Sequence, residues 1–285
     1  MQVLKFGGSS VANAENMSKV VDIVTKAVDR DRTILVTSAI SGCTDTLIKI
    51  GHLASERDDS YKTLIDELQS KHHTIIKNFL PVEKQVDSKT VCDSLFDSLR
   101  SIAHGVYLLG ELSPASLDAI QAFGELWSTK ILATKLASIG IATKWIDSRQ
   151  IIRTIAKGDK NIVDTQKTYS RVNEMIENNP ITQLFVLPGF IASDKQGRTT
   201  TLGRGGSDYT AALYAVGCKA RVLEIWTDVP GMMTSNPKIV HTARTISNIS
   251  YKAALELSHF GAKVIYPPTI QPVVAEGIPI YVKNT

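Results

Sequence analysis

Cysteine is scarce in this sequence, 3 residues among 285. Cys43, Cys92 and Cys218 are far apart and form no Cys-x-x-Cys pair, which argues against a disulfide framework and a structural zinc site and for a reducing compartment. Charge of one sign is not in excess either: 32 Lys plus Arg against 28 Asp plus Glu leave a net +4, interspersed along the chain. That balance is too weak to argue for nucleic acid, although it leaves room for a locally positive pocket that takes a small anion. No apolar run approaches the ~20 residues of a membrane span. The opening Met1-Gln2-Val3-Leu4-Lys5-Phe6 lacks the basic and then long apolar regions of a secretory leader. The expectation is a soluble, cytoplasmic chain. Several catalytic signatures are also missing: the Gly-x-x-x-x-Gly-Lys-[Ser/Thr] phosphate loop, His-Arg-Asp and Asp-Phe-Gly, Gly-x-Ser-x-Gly, and His-Glu-x-x-His. No residue is singled out as a metal ligand.

What is present is an ordinary globular composition, 43% apolar and 21% charged, on a chain long enough for one large domain or two small ones. Gln2 to Phe6 reads as a strand ending at Gly7-Gly8, and Ala14 to Asp29 places Met17, Val20, Val21, Val24 and Val28 on one helical face. Thr33 to Thr37 is a buried strand, followed by a helix that Thr44 or Asp45 can cap. From about Ser60 to Gly140 the chain reads as helical, broken at Pro81 and again at Gly110 to Pro114, where Ser113 caps and Pro114 takes the first position. Further strands are expected at Thr143 to Ile146, Gln183 to Leu187, Val222 to Trp226 and Ile278 to Val282. Helices are expected at Asp164 to Glu177, Asp208 to Val216, Tyr251 to Ser258 and Pro268 to Glu276. Strands alternating with helices imply an α/β fold, a three-layer α/β/α sandwich on a mainly parallel sheet, with ligands beyond the carboxyl ends of the strands.

Four loops and one helix could carry chemistry. Lys5-Phe6-Gly7-Gly8-Ser9-Ser10 leaves the first strand, and its glycines let the backbone approach an anion. Lys5, at the end of a buried strand, needs either an anionic partner or a route to water, and on this loop alone the two readings stand level. Gly203-Arg204-Gly205-Gly206-Ser207-Asp208 precedes another helix. Ser207 or Asp208 can be its N-cap, while Arg204 offers a planar fork to a carboxylate or phosphate. Trp226-Thr227-Asp228-Val229-Pro230-Gly231 ends a strand in what could be an ordinary turn, and Phe260-Gly261-Ala262-Lys263 carries a second lysine among small residues. In Phe123-Gly124-Glu125 a glycine and an acid interrupt an apolar helix, which points to close approach at the backbone. His72-His73 reads as a solvated pair on a polar helix.

Taken together and in this order, these blocks resemble the amino acid kinase family, and within it the aspartate kinases, from Val3 to Thr285. The start and the closing Val282-Lys283-Asn284-Thr285 look most like the kinase part of bifunctional aspartokinase–homoserine dehydrogenases. The resemblance implies an amino acid kinase (carbamate kinase-like) fold. It also implies transfer of the γ-phosphoryl group of ATP to the side-chain carboxylate of L-aspartate, giving 4-phospho-L-aspartate and ADP. This step opens the pathway to lysine, threonine and methionine. Mg²⁺ would bridge the phosphates.

By the same resemblance Lys5 would contact the transferring phosphoryl group and Asp208 would position Lys5 or the substrate and metal. Ser38, Thr44, Glu125, Arg204, Gly205, Gly206 and Ser207 would hold aspartate, with Glu125 on the ammonium side. Gly7, Gly8, Ser9, Thr227, Asp228, Met233, Lys238, Lys263 and Val264 would bind the nucleotide. An N-terminal lobe to about residue 200 would carry aspartate and phosphoryl transfer, and the remainder the nucleotide. Partners would be the two small molecules, without nucleic acid or membrane. Family chains run on into small regulatory amino-acid-binding domains through which they also assemble, and the sequence at hand ends before them.

Two departures touch the nucleotide loop. Where the family commonly has an aromatic residue and then Asp-Pro-Arg, this chain has Met233 and then Asn236-Pro237-Lys238. Methionine can still pack on adenine, and Lys238 can meet a phosphate without the arginine fork. The competing readings are a kinase for glutamate, N-acetylglutamate or a nucleoside monophosphate, and a nucleotide-binding regulatory module without catalysis. An acid such as Glu125 opposite an ammonium disfavours acetylated or phosphorylated substrates, and a module without catalysis would be expected to lack Lys5 or Asp208.

Overall fold

The protein is described as a computed structural model that covers residues 1–158, 160–235, 239–259 and 265–285. The chain opens with β1 (Gln2–Phe6), a 3-10 turn over Gly8–Val11, and α1 (Ala14–Val28), started by the Asn13 side chain accepting from the Asn16 amide. It continues through β2 (Thr33–Thr37), α2 (Cys43–Ser55), α3 (Ser60–Phe79), α4 (Val82–Leu109), α5 (Pro114–Gln121) and α6 (Phe123–Ser138). The breaks read from Pro81 and from Gly110 to Pro114 fall where expected, and Ser113 caps α5.

Next come β3 (Thr143–Trp145), α7 (Ser148–Ile151), the hairpin β4 (Thr154–Lys157) and β5 (Lys160–Val163), α8 (Thr165–Glu177) and β6 (Leu184–Pro188). A second hairpin, β7 (Ile191–Ser193) and β8 (Thr199–Thr201), leads to α9 (Gly206–Gly217) and β9 (Leu223–Thr227). The chain then closes with α10 (Tyr251–His259), α11 (Pro267–Ala275) and β10 (Ile280–Asn284).

Six strands form one sheet in the order β10-β9-β1-β2-β6-β3, and every pairing is parallel. The period of two along β1 sends Leu4 and Phe6 to one face and Val3 and Lys5 to the other. Leu4, Phe6, Leu35 and Val186 pack against α1, α2, α3, α4 and α6. Val3, Ile34, Val36, Leu223 and Ile225 pack against α8, α9 and α11. This is the α/β/α sandwich expected. The chain progresses outward from β1 through β2 and later returns to lay β9 on the other side of β1, so the loops after β1 and β9 part there. Such a switch point opens a crevice at the carboxyl ends of the strands.

Several local expectations need correction. Neither Thr44 nor Asp45 caps α2: Gly42 does, at φ 77, with no side-chain cap hydrogen bond. Neither Ser207 nor Asp208 caps α9: Gly205 does, at φ 72, again without a side-chain cap. In both cases a left-handed residue, which glycine adopts without steric cost, turns the chain into the helix. The last strand begins at Ile280 rather than Ile278, and the two hairpins and α7 lie in segments for which no element was expected. His72 is fully buried against Phe96 and Trp127, ring centroids 5.6 and 4.8 Å away. It sits on the inner face of α3 with Ile65, Leu68, Ile75 and Ile76, so its helical phase, rather than the polarity of its sequence neighbours, sets its place.

Candidate active site

Because Lys5 shares a face of β1 with Val3, its side chain emerges under the first turn of α9. There its Nζ meets Asp208 Oδ1 at 2.8 Å, with the two side chains only 12% and 11% exposed. The anionic partner that the sequence left undecided for Lys5 is therefore Asp208. Both are positioned by backbone: Lys5 pairs with Val36 and Ile225 on the flanking strands, and Asp208 lies in the first turn of α9, where the helix dipole favours an acid.

A cleft of about 240 Å³ opens beside this pair. Its walls are Lys5, Ser38 and Thr44 from the β1–β2 side, Glu125 from α6, and Gly203, Gly205, Gly206, Ser207 and Asp208 around the start of α9. Phe190 completes it. Ser38 is fixed at the end of β2, its amide donating to Phe6 O at 3.1 Å and its carbonyl accepting from the Ser128 hydroxyl at 2.8 Å.

The amino ends of both α2 and α9 enter this wall, at Thr44 and at Gly206-Ser207. Each leaves first-turn amides without a side-chain acceptor, a pair of positive ends suited to carboxylate or phosphate.

Glu125 is the opposite pole. It is 3% exposed; its Oε1 accepts from the Ala39 amide at 3.2 Å, and its Oε2 has no partner among the described residues. Burial pushes its carboxyl up to about 8, against the smaller lowering effect of the Ala39 amide. A buried carboxylate oxygen without a donor is costly unless a ligand supplies one, and an ammonium group is the strongest such donor. Gly124 makes the arrangement possible, since a Cβ there would sit 2.7 Å from Ala39 Cβ. This is the close approach its presence in an apolar helix implied.

Arg204 is placed differently from the other expected aspartate-binding residues. Flanked by left-handed Gly203 and Gly205, it is exposed and outside the cleft wall, its guanidinium 5.2 Å from the centre of the Tyr266 ring.

Of the residues expected to bind nucleotide, Gly7 has its Cβ position 3.7 Å from Lys5 Nζ, and its amide donates to Trp226 O at 3.3 Å. A Cβ on Gly8 would stand 2.9 Å from Ala39 O. Ser9 lies in the 3-10 turn that follows β1, and α1 begins at Ala14, as read from the sequence. Thr227 and Asp228 lie at the end of β9, next to β1, with the Thr227 hydroxyl donating to Asp228 Oδ1 at 3.1 Å. Met233 sits beyond them, bridged to Thr245. Lys238, Lys263 and Val264 lie outside the described residues.

Sequence reasoning missed Gly189 and Phe190. A Cβ on Gly189 would fall 2.6 Å from Ser207 Oγ, and one on Gly206 would fall 2.7 Å from the Phe190 ring. Phe190 is held at φ 67, uncommon for a bulky residue, with its amide donating to Thr210 Oγ1 at 2.9 Å. The available signal was Pro188-Gly189 at the carboxyl end of β6, the position where an open parallel sheet builds its sites.

A parallel sheet with a switch point at β1 and a Lys–Asp pair beneath two open helix ends has the features of a phosphoryl-transfer enzyme site. The model of the amino acid kinase family matches residues 1–284, and the chain belongs to that family. It is 33% identical over 283 residues to the bifunctional aspartokinase/homoserine dehydrogenase 1, chloroplastic, of Zea mays, covering 99% of this chain and 30% of that protein. To the lysine-sensitive aspartokinase 3 of Escherichia coli it is 33% identical over 294 residues, covering 99% of this chain and 61% of that one. The crystal structure of E. coli aspartokinase III in complex with aspartate and ADP superposes with a TM-score of 0.89 at 31% identity, over 100% of this chain and 62% of the other. The chain thus spans about a third to three fifths of the length of these relatives. No helix among the described residues is long and apolar enough to cross a membrane.

Proposed function

We propose that this chain is an aspartate kinase domain, transferring the γ-phosphoryl group of ATP to the side-chain carboxylate of L-aspartate. The observation that carries the proposal is the Lys5–Asp208 pair lining the same cleft as a buried glutamate, one oxygen of which has no partner among the described residues. An acidic amino acid fits between these poles. Its ammonium supplies Glu125 Oε2 with the missing donor, and its carboxylates face the open amides of α2 and α9.

The aspartate carboxylate is already ionised at neutral pH and needs no general base. In the reaction one of its oxygens forms the new bond to phosphorus while the bond from phosphorus to the bridging oxygen of ADP breaks. The protein's work is positioning and neutralising the anionic transition state. Lys5 supplies the positive charge at the γ-phosphoryl group, and Asp208 fixes its ammonium. Gly7, Gly8 and Ser9 line the phosphates, while Thr227, Asp228, Met233, Lys238, Lys263 and Val264 contribute the nucleotide side, in a lobe beginning near residue 200.

Mg²⁺ belongs to the nucleotide in this reading. Among the described residues no cluster of three or more His, Cys, Asp or Glu side chains is suited to hold a metal, and Asp208 is the one carboxylate beside Lys5. That donor set fits an ion coordinated chiefly by phosphate oxygens and water, which supplies charge neutralisation. Met233 for an aromatic residue and Lys238 for an arginine predict weaker nucleotide binding, read as a raised KM for ATP.

Incubation with Mg-ATP and each of L-aspartate, L-glutamate and N-acetyl-L-glutamate, with hydroxylamine as trap, tests the proposal. The expected result is hydroxamate with aspartate alone, abolished in Lys5→Ala. Hydroxamate chiefly from glutamate would move the assignment to another acid, and nucleotide binding without hydroxamate would favour the regulatory module.

A further inference from the structure

A second cavity, about 310 Å³, lies between α4 and α6 and shares no residue with the catalytic cleft. Its walls are apolar: Val91, Cys92 and Leu95 of α4, Trp127 and Ile131 of α6, and Trp145 at the end of β3. Trp127 is 1% exposed and its indole N–H has no hydrogen-bond partner among the described residues. The Lys130 ammonium stands 3.6 Å from the centre of the Trp145 ring. Among the described residues neither Lys130 nor the rim residue Lys84 is ion-paired. Two cations thus border the cavity against one acid, Asp87.

An apolar slot of this volume with an unused buried donor and an excess of positive charge has the make-up of a small-molecule site. We infer that this cavity binds a small anion with an apolar aromatic body, an aromatic carboxylate or sulfonate in chemical class. Its occupancy is coupled to the catalytic cleft through α6. The link is direct: the Trp145 indole donates to Thr129 Oγ1 at 2.9 Å, and Thr129 Oγ1 donates to the carbonyl of Glu125 at 2.7 Å. A ligand that shifts Trp145 therefore acts on a residue that lines the cleft. The binding claim stands without the kinase reading; the coupling claim rests on it.

The probe is 8-anilinonaphthalene-1-sulfonate, followed by its own fluorescence under tryptophan excitation. One saturable site per chain is expected, weakened at least tenfold in Lys130→Glu and in Ala133→Leu, which fills the slot. The aspartate KM should change at least twofold with bound probe in the unmodified chain and stay constant in Lys130→Glu. Absent or non-saturable binding, or binding indifferent to both substitutions, would overturn the site. Exclusion of the probe by self-association in sedimentation would overturn it in favour of an interface between copies. Saturable binding with an unmoved aspartate KM would overturn the coupling alone. Absence of turnover under every condition would count against the kinase reading, because binding is read without it.

Discussion

The Cα of Gly189 faces Ser207 so closely that a Cβ at position 189 would lie 2.6 Å from the Ser207 hydroxyl and 3.0 Å from the Ser207 Cα. The second contact is backbone, at the start of α9, and cannot be relieved by a rotamer change. Gly189→Ala should therefore push the amino end of α9 out of the cleft wall. The expected outcome is a rise of tenfold or more in the aspartate KM with a smaller change in the ATP KM. Stability should fall by about 1–3 kcal/mol for an overpacked site. Steady-state kinetics beside a urea melt separates the two effects; an aspartate KM within twofold of the parent would remove Ser207 from the substrate site.

Lys5 and Asp208 should act as a unit. Removing either member of a poorly exposed ion pair strands the other, at about 3–5 kcal/mol for a well-buried case. A smaller loss is expected here because the pair borders an open cleft. Lys5→Ala and Asp208→Asn should each lower kcat by more than a hundredfold, and the double variant should be little worse than Lys5→Ala. The stability loss of Lys5→Ala/Asp208→Ala should be smaller than the sum of the two single losses. Additive rate losses in this cycle would show that the two groups serve separate steps.

Glu125 sets a pH dependence. Its folded-state pKa, about 8, lies above the ordinary 4.5 of an unfolded glutamate, so between these values the folded protein holds a proton that the unfolded chain has released. Stability from this group is thus fullest below pH 4.5 and declines as pH rises towards 8. An ammonium ligand favours the ionised form, so aspartate binding at pH 7 should release a proton. Calorimetry in buffers of different ionisation enthalpy should detect that release in the parent and lose it in Glu125→Gln. A buffer-independent heat in the parent would contradict an ammonium at Glu125.

How much of this was legible in the sequence depended on the range of the interaction. A charge at the end of a buried strand, a glycine and an acid interrupting an apolar helix, and the glycines around position 205 sufficed to single out Lys5, Glu125 and the Gly203 to Asp208 loop, because each of these signals is local. The hairpins β4–β5 and β7–β8 escaped because strands of three and four residues carry no distinguishable period, and their pairing is decided by the surrounding fold. Thr44 and Ser207 have capping side chains by type, yet left-handed Gly42 and Gly205 turn the chain first, freeing amides for a ligand. Arg204 was read from its chemistry alone; the cation–π contact that turns it towards Tyr266 comes from a residue 62 positions later.

His72 gives an opposite pH effect to that of Glu125. Burial holds its imidazole down to about 4, with the Leu68 carbonyl acting weakly the other way, whereas an unfolded histidine titrates near 6.5. Between pH 6.5 and 4 the unfolded chain binds a proton that the folded chain refuses, so stability from this group is complete above 6.5 and is lost as pH falls through that window. From pH 4.5 to 6.5 the two residues oppose each other; above 6.5 the decline from Glu125 remains. His72→Phe keeps a ring against Phe96 and Trp127 and removes the titration, together with the Nε2 that has no partner among the described residues. As pH falls from 6.5 to 4.5 its urea midpoint should rise relative to that of the parent, because the opposing Glu125 effect is left alone, and Glu125→Gln should flatten the change between 6.5 and 8. Identical profiles for parent and His72→Phe would mean that the imidazole reaches water, as its place beside His73 in the sequence first implied.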